Sequence, residues 1–357
     1  MGDRPTFGSM GSMSKAIRNP LILELILTQL HTTDLRTARL VCRNWAGIGG
    51  SLLGKRTRLS VSKLFHWDGS KLCLTPVSAH LMRRISISDS SPSIPTRKKS
   101  SIVTKVFKDL AQMLQFTREV DFHVADRRSQ NAFIAGLRKV KNPATSIQHV
   151  SLSVVNNYRS KPCVPPIYTK KLAVLANLTS ITFSFCGYII QDSTHGFHGF
   201  QPFLQILIDS APKLTSLKAS SPFYPSLDGC KNLKVIRLEN FNPSKNPCVD
   251  LVAAIKMLAQ VKNSLVQIEL SAADGDTKID ISQNSRLDLP IMSKLVSLNI
   301  RPAKGYLFEN FFNEDHLPAL KTVHIVVKCE FERLNLPPYL NLWKRHREVT
   351  YLRLEFD

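Results

Sequence analysis

No stretch of this 357-residue chain approaches the ~18 consecutive apolar residues that a membrane-spanning helix needs. Residues 1–18 are polar and rich in Gly, Ser and Met, without the apolar run of a secretory leader, and read as a disordered tail. Paired cysteines are missing too. The seven present (Cys42, Cys73, Cys163, Cys186, Cys230, Cys248, Cys329) are scattered, odd in number and never spaced Cys-x-x-Cys, which predicts reduced thiols in the cytoplasm or nucleus. The chain lacks a phosphate-cradling glycine loop, a Gly-x-Ser-x-Gly elbow and a His-Glu-x-x-His helix. His195 and His198 have no cysteine or carboxylate cluster at ligand spacing, so they read as loop residues and no metal is expected. Asp274, Asp276 and Asp280 lack the spacing and closing Glu of a calcium loop and read as a polar turn. The expectation is a non-catalytic chain without cofactor.

Acidic residues are scarce: 27 Asp and Glu face 48 Lys and Arg, a formal net charge of +21. The excess is uneven, at +8 for residues 1–90, +11 for 91–180, +2 for 181–270 and zero for 271–357. A basic first half favours an anionic partner. Seven tyrosines and three tryptophans among mixed charges do not build a base-stacking platform, so nucleic acid is not the expected one. Residues 88–101, rich in Ser, Pro and Lys/Arg, read as an exposed basic loop.

At 43% hydrophobic residues the chain can bury a sizeable core. Two patterns organise it. The first occupies residues 19–46. Asn19-Pro20 is a helix-start signal, and Leu23, Ile26, Leu27 and Leu30 follow at helical spacing. His31-Thr32-Thr33 breaks the run, and Thr33 or Asp34 can cap a second helix with Leu35, Ala38, Val41 and Trp45 on its apolar face. Two short amphipathic helices need a partner surface, either their own domain or another protein.

Beyond periodicity, Asn19-Pro20, the Glu24-Leu25-Ile26-Leu27-Thr28-Gln29-Leu30 helix, Asp34-Leu35 and Leu40-Val41-Cys42-Arg43-Asn44-Trp45 occur in order at the right separations. This stretch resembles the F-box. It departs at Asn19, where the family usually has Leu. The resemblance implies that Pro20, Leu21, Leu25, Ile26, Leu30 and Leu35 dock on the Skp-type linker protein of an SCF ubiquitin ligase, reaching cullin and RING proteins through it. Leu40, Val41 and Trp45 would hold the helices together. The unit is assigned to residues 19–60.

The second pattern is a recurring phrase, apolar-x-x-apolar-x-apolar, as in Leu214-Thr215-Ser216-Leu217-Lys218-Ala219. Ten copies start at Met82, Thr117, Ile147, Leu178, Leu214, Leu233, Leu265, Leu295, Leu320 and Val349, with Thr117 and Ala219 as poor fits. Alternate residues of a strand face opposite sides, so the slots between the apolar positions share one face. Of those thirty slots only Val235 and Val326 are aliphatic, which predicts one wet and one dry face and excludes a sheet buried on both sides. Stretches of helical periodicity lie between copies at 105–115, 131–140, 203–210, 251–261 and 307–312.

The phrase is similar to that of leucine-rich repeats. The expected fold is therefore α/β: an F-box-like helical unit, then an irregular leucine-rich-repeat solenoid over residues 61–357 with an inner parallel sheet and outer helices. Because the Asn or Cys that usually follows the third apolar residue is met only by Cys186, its stiffening ladder is expected to be weak. The wet face would bind a protein substrate, with Lys218, Arg237, Asn299, Arg301, His324 and Arg353 as candidate contacts, joined by Arg84. Its basic half predicts a substrate with an acidic or phosphorylated segment. The competing expectation is a free-standing repeat scaffold, or a nucleic-acid-associated protein, whose helical unit only caps the array.

Overall fold

The computed structural model describes residues 18–61, 64–68, 71–75, 77–87, 116–124, 127–139, 146–155, 171–186, 200–221, 223–241, 251–272, 290–301, 313–327 and 346–356. The tail at 1–17, the basic loop at 88–101, the helical stretches at 105–115 and 307–312, the His195/His198 pair and the Asp274–Asp280 turn lie outside them.

The opening unit has three helices rather than two: α1 (Pro20–Gln29), α2 (Thr32–Ala38) and α3 (Arg43–Arg56). Asn19 caps α1, its side chain accepting from the Leu21 N–H at 3.0 Å, and Pro20 sits where a missing N–H costs nothing. At this position a Leu could not cap. Glycine at Gly47, Gly49, Gly50 and Gly54 argues against a helix after Ala46, yet α3 continues to Arg56. Tertiary packing outweighs propensity here. A Cβ on Gly49 would stand 3.3 Å from Arg39 Cβ, and one on Gly54 would stand 1.9 Å from the His80 carbonyl oxygen. Glycine thus lets α3 approach both α2 and the 3-10 turn Ala79–Arg83. Arg56 closes the unit by donating from Nη1 to the Leu30 carbonyl at 2.7 Å and from Nη2 to that of Thr28, satisfying carbonyls at the end of α1.

Leu23, Leu27, Leu35, Leu52 and Leu53 form the unit's core, with Leu30, Ala38, Trp45, Ile48 and Leu81 packed around it. Leu81 belongs to the 3-10 turn that leads into the sheet, so the helices are seated on the body that follows.

That body contains one sheet of eleven parallel strands: β1 (Leu59–Ser60), β4 (Arg84–Ile87), β5 (Glu119–Val124), β6 (His149–Val155), β7 (Ser180–Cys186), β8 (Ser216–Ser220), β9 (Val235–Phe241), β10 (Gln267–Ala272), β11 (Ser297–Arg301), β12 (Thr322–Val327) and β13 (Tyr351–Phe356). Each pairs with the next one in this series. A short antiparallel hairpin, β2 (Phe65–Asp68) and β3 (Lys71–Leu74), interrupts the series after β1. The repeat phrase does not contain it, although two residues, Gly69 and Ser70, between short β-rich runs are a hairpin signal.

The ten phrases align copy on copy. Arg84 pairs with Glu119, Glu119 with His149, His149 with Ser180, and the register continues through Ser216, Val235, Gln267, Ser297 and Thr322 to Tyr351. The dry face carries Ile85, Val120, Val150, Ile181, Leu217, Ile236, Ile268, Leu298 and Val323, all buried in one continuous core. Helices α4 (Arg127–Lys139), α5 (Gln201–Asp209) and α6 (Leu251–Gln260) contribute to that core. Phe133 of α4 shows how: it stacks on Phe122 of β5 at 4.4 Å and meets Phe203 of α5 edge-on at 5.9 Å. Between β8 and β9, only 19 residues separate the two phrase starts, and the described connection is made of turns. Gly229 there has φ +90°, a backbone conformation that strains any residue with a Cβ.

The stiffening ladder exists in another form. One carbonyl per phrase accepts two successive N–H groups of the next strand: Gln148 O takes Thr179 and Ser180, Thr179 O takes Thr215 and Ser216, and Lys234 O takes Val266 and Gln267. Hydroxyls extend it, with Thr117 Oγ1 donating to Met82 O at 2.8 Å and Ser146 Oγ to Thr117 O at 2.6 Å. Thr117 is fully buried. It fits the phrase poorly by hydropathy because its role is this bond.

Candidate protein-docking surfaces

Helix α1 carries apolar residues on two sides. Leu23 and Leu27 turn inward, while Leu21 and Leu25, and Ile22 and Ile26, repeat four residues apart on the outside. The exposed fractions are 76% for Leu21, 66% for Leu25 and 43% for Ile26, with 78% for Leu40 and 66% for Val41 at the turn into α3. Pro20 is exposed as well. The unit's interior is already filled by its own leucines and Leu81, so these side chains are surplus to its packing. Exposed apolar groups concentrated on two neighbouring segments mark an interaction site.

Three expectations need correction. Leu35, expected on the docking face, is fully buried between α1 and α3. The Asp34-Leu35 step lies within α2, whose inward side must cover Leu23 and Leu27, and Leu35 is the residue on that side. Leu40 and Val41, expected to hold the helices together, are solvent-exposed, because α2 ends at Ala38 and they occupy the turn outside the helices. Leu30 is only partly exposed and packs on the leucine core. Trp45, at the start of α3, does pack there.

The second surface is the wet face of the sheet. Its middle row runs Ser86, Asp121, Ser151, Thr182, Lys218, Arg237, Glu269, Asn299, His324 and Arg353 in register. Five of the six candidate substrate contacts stand in this row, and Arg301 stands two residues on from Asn299 in the same strand. The cations in the row are not bare. Lys218 Nζ lies 2.6 Å from Glu239, Arg237 Nε 3.1 Å from Glu269, and Arg353 Nη2 3.2 Å from Glu355, which also meets His324 Nε2 at 3.0 Å. The carboxylates come from neighbouring or same-strand slots, so this face neutralises itself. An acidic partner meets no free Lys218 or Arg237 there.

Beside the helical unit the same pairing forms a junction. Arg58, two residues after α3, reaches Glu119 at 3.0 Å and Asp121 at 3.1 Å. Arg84 binds Glu119 at 2.5 Å and donates to the Lys55 carbonyl at 3.4 Å. Burial pushes the Glu119 carboxyl up, but hydrogen bonds and charge from Arg84 and then Arg58 outweigh it and hold the group below its ordinary value. A different balance governs Cys230, whose thiol is pushed up to about 11 by burial and by Asp209 and Asp228. That thiol is inert at neutral pH.

Among the described residues no group of three His, Cys, Asp or Glu stands where it could hold a metal, and no helix is long and apolar enough to cross a membrane. In comparison with known protein families, residues 19–52 match the F-box domain, a span that covers α1, α2 and most of α3. No curated protein matches the chain.

Proposed function

We propose that this chain is the substrate-recognition adaptor of an SCF-type ubiquitin ligase. The F-box helices dock on the Skp-type linker, and through it on the cullin and RING proteins. The sheet body, an irregular leucine-rich-repeat solenoid, holds a protein substrate. The adaptor itself is non-catalytic and works in the cytoplasm or nucleus. Its physical contribution is proximity: a tethered substrate lysine sees the charged conjugating enzyme at a raised effective concentration.

One observation carries this reading. The stretch that matches the F-box presents Leu21, Leu25, Ile26, Leu40 and Val41 to solvent while its interior is complete without them. Pro20 extends the same docking set, and Leu30 borders it. The wet face, with Lys218, Arg237, Asn299, Arg301, His324 and Arg353, suits a protein partner whose charges complement an alternating pattern of fixed ion pairs.

Co-expression with a Skp-type linker tests the proposal. The expected result is a stoichiometric complex that Ile26→Glu abolishes while the variant keeps its circular dichroism and melting temperature. A folded wild-type chain that captures no linker overturns it and leaves the free-standing scaffold.

A further inference from the structure

The sheet ends differently at its two outer strands. At one end β1 is two residues long, and brevity protects an edge from pairing with another chain. At the other end β13 runs six residues, Tyr351–Phe356, with no Pro or Lys to block it. Among the described residues nothing pairs with its outer side. Its dry face is also incomplete. The first dry-face residue of each strand from β4 to β12, Ile85 through Val323, is at most 2% exposed, whereas Leu352 in the same row is 39% exposed. Each of the others has a strand on both sides, and Leu352 has one on a single side. Beside it Tyr351, the only aromatic among the thirty wet-face slots, is 53% exposed.

We propose that this edge pairs with the same edge of a second copy, antiparallel across a two-fold axis, joining two eleven-stranded sheets into one. The backbone and the charges fix the register. The Tyr351 N–H donates to the Lys321 carbonyl, just before β12, at 3.1 Å. Alternation therefore turns the backbone N–H and C=O groups of Leu352, Leu354 and Phe356 outward. Outward groups must meet outward groups, which admits only registers centred on a single residue. The two that overlap over five residues of β13 are centred on Arg353 and on Leu354. Centring on Arg353 sets that cation against its own copy. Centring on Leu354 sets Arg353 opposite Glu355 of the second copy and Glu355 opposite its Arg353, in the close pairs that make no ladder bonds. Because Arg353 already lies 3.2 Å from Glu355 of its own strand, the four groups then alternate in sign around a square. Leu354 meets itself on the dry face, so the strand is self-complementary. A five-residue edge is small beside permanent interfaces, so the dimer exchanges with monomer. This inference goes beyond the adaptor reading and does not depend on it.

Sedimentation velocity on the full chain between about 1 and 100 µM tests the proposal. The wild type is expected to shift from monomer towards dimer across that range. Arg353→Glu and Glu355→Arg each set like charges in both cross-strand pairs and are expected to weaken self-association by about tenfold or more. An equimolar mixture of the two variants restores both pairs between unlike chains, and the double variant R353E/E355R restores them between like chains. Both are expected to return to within about threefold of the wild type. Recovery in the mixture cannot come from misfolded chains. A wild type that stays monomeric at about 100 µM overturns the self-pairing and leaves the edge to a strand of another protein. A dimer that both single variants leave intact, or that the mixture fails to restore, overturns the edge and its register. Neither linker nor substrate enters this assay, so its result is separate from that of linker capture.

Discussion

The paired substitutions Leu25→Ala and Leu35→Ala separate docking from folding within ten residues of sequence. Leu25 is 66% exposed, so its seating on a partner removes roughly 100 Å² of apolar surface from water, worth about 2.5 kcal/mol. Truncation leaves Cβ in place, and the expected loss of linker affinity is therefore about tenfold to seventyfold. Melting should hardly change. Leu35 has no exposed surface and touches the leucines of α1 and α3, so Leu35→Ala opens a cavity that costs about 2–5 kcal/mol. For a chain of 357 residues, with an unfolding entropy of about 0.75 kcal/mol/K, the melting temperature should drop by roughly 3–7 °C. Isothermal titration against a Skp-type linker at a temperature where both variants are folded measures the first effect, and calorimetric melting the second. Should Leu25→Ala lower the melting temperature as much as Leu35→Ala, the division into an outward and an inward side of α1 is wrong. If Leu35→Ala loses affinity with unchanged melting, Leu35 does reach the partner.

Gly54→Ala is expected to destabilise the chain by about 1–3 kcal/mol despite the better helix propensity of Ala, since the new Cβ would lie 1.9 Å from the His80 carbonyl oxygen. Unchanged melting would refute the close seating of α3 on the 3-10 turn. Stability should also depend on pH through Glu119. Its carboxyl is held low in the folded chain, so its contribution is fully present above the unfolded value near 4.5 and disappears as pH falls through the folded one. Glu119→Gln should flatten that acid limb in denaturant titrations across about pH 3 to 6, and an unaltered limb would exclude the junction as its source.

Much of the sheet was legible because alternation is a property of residue order. The slots Lys218, Arg237, Asn299, His324 and Arg353 lie in one row, as their phrases require. The hairpin of β2 and β3 falls outside the repeat phrase, and α2 and α3 read as one helix because Leu35, Ala38, Val41 and Trp45 keep helical spacing across the turn that divides them. In the opening unit the sequence marked segments that are helical and misplaced individual side chains. Apolar residues at helical spacing occur on both sides of α1, and only packing decides which side is inside.

The order of apolar and polar residues was thus sufficient by itself to specify the strand phrases, their common register and the site of the opening helices, since these follow from local periods of two and three to four residues. Contacts across long separations belonged to the tertiary structure alone: Leu35 turned inward, Val41 turned outward, and Glu239 and Glu269 neutralised Lys218 and Arg237. The reason is that partners about ten to thirty residues apart meet only once helices are packed and strands are laid side by side, and a residue's neighbours, not its own chemistry, settle whether its charge or its oiliness is left for another molecule.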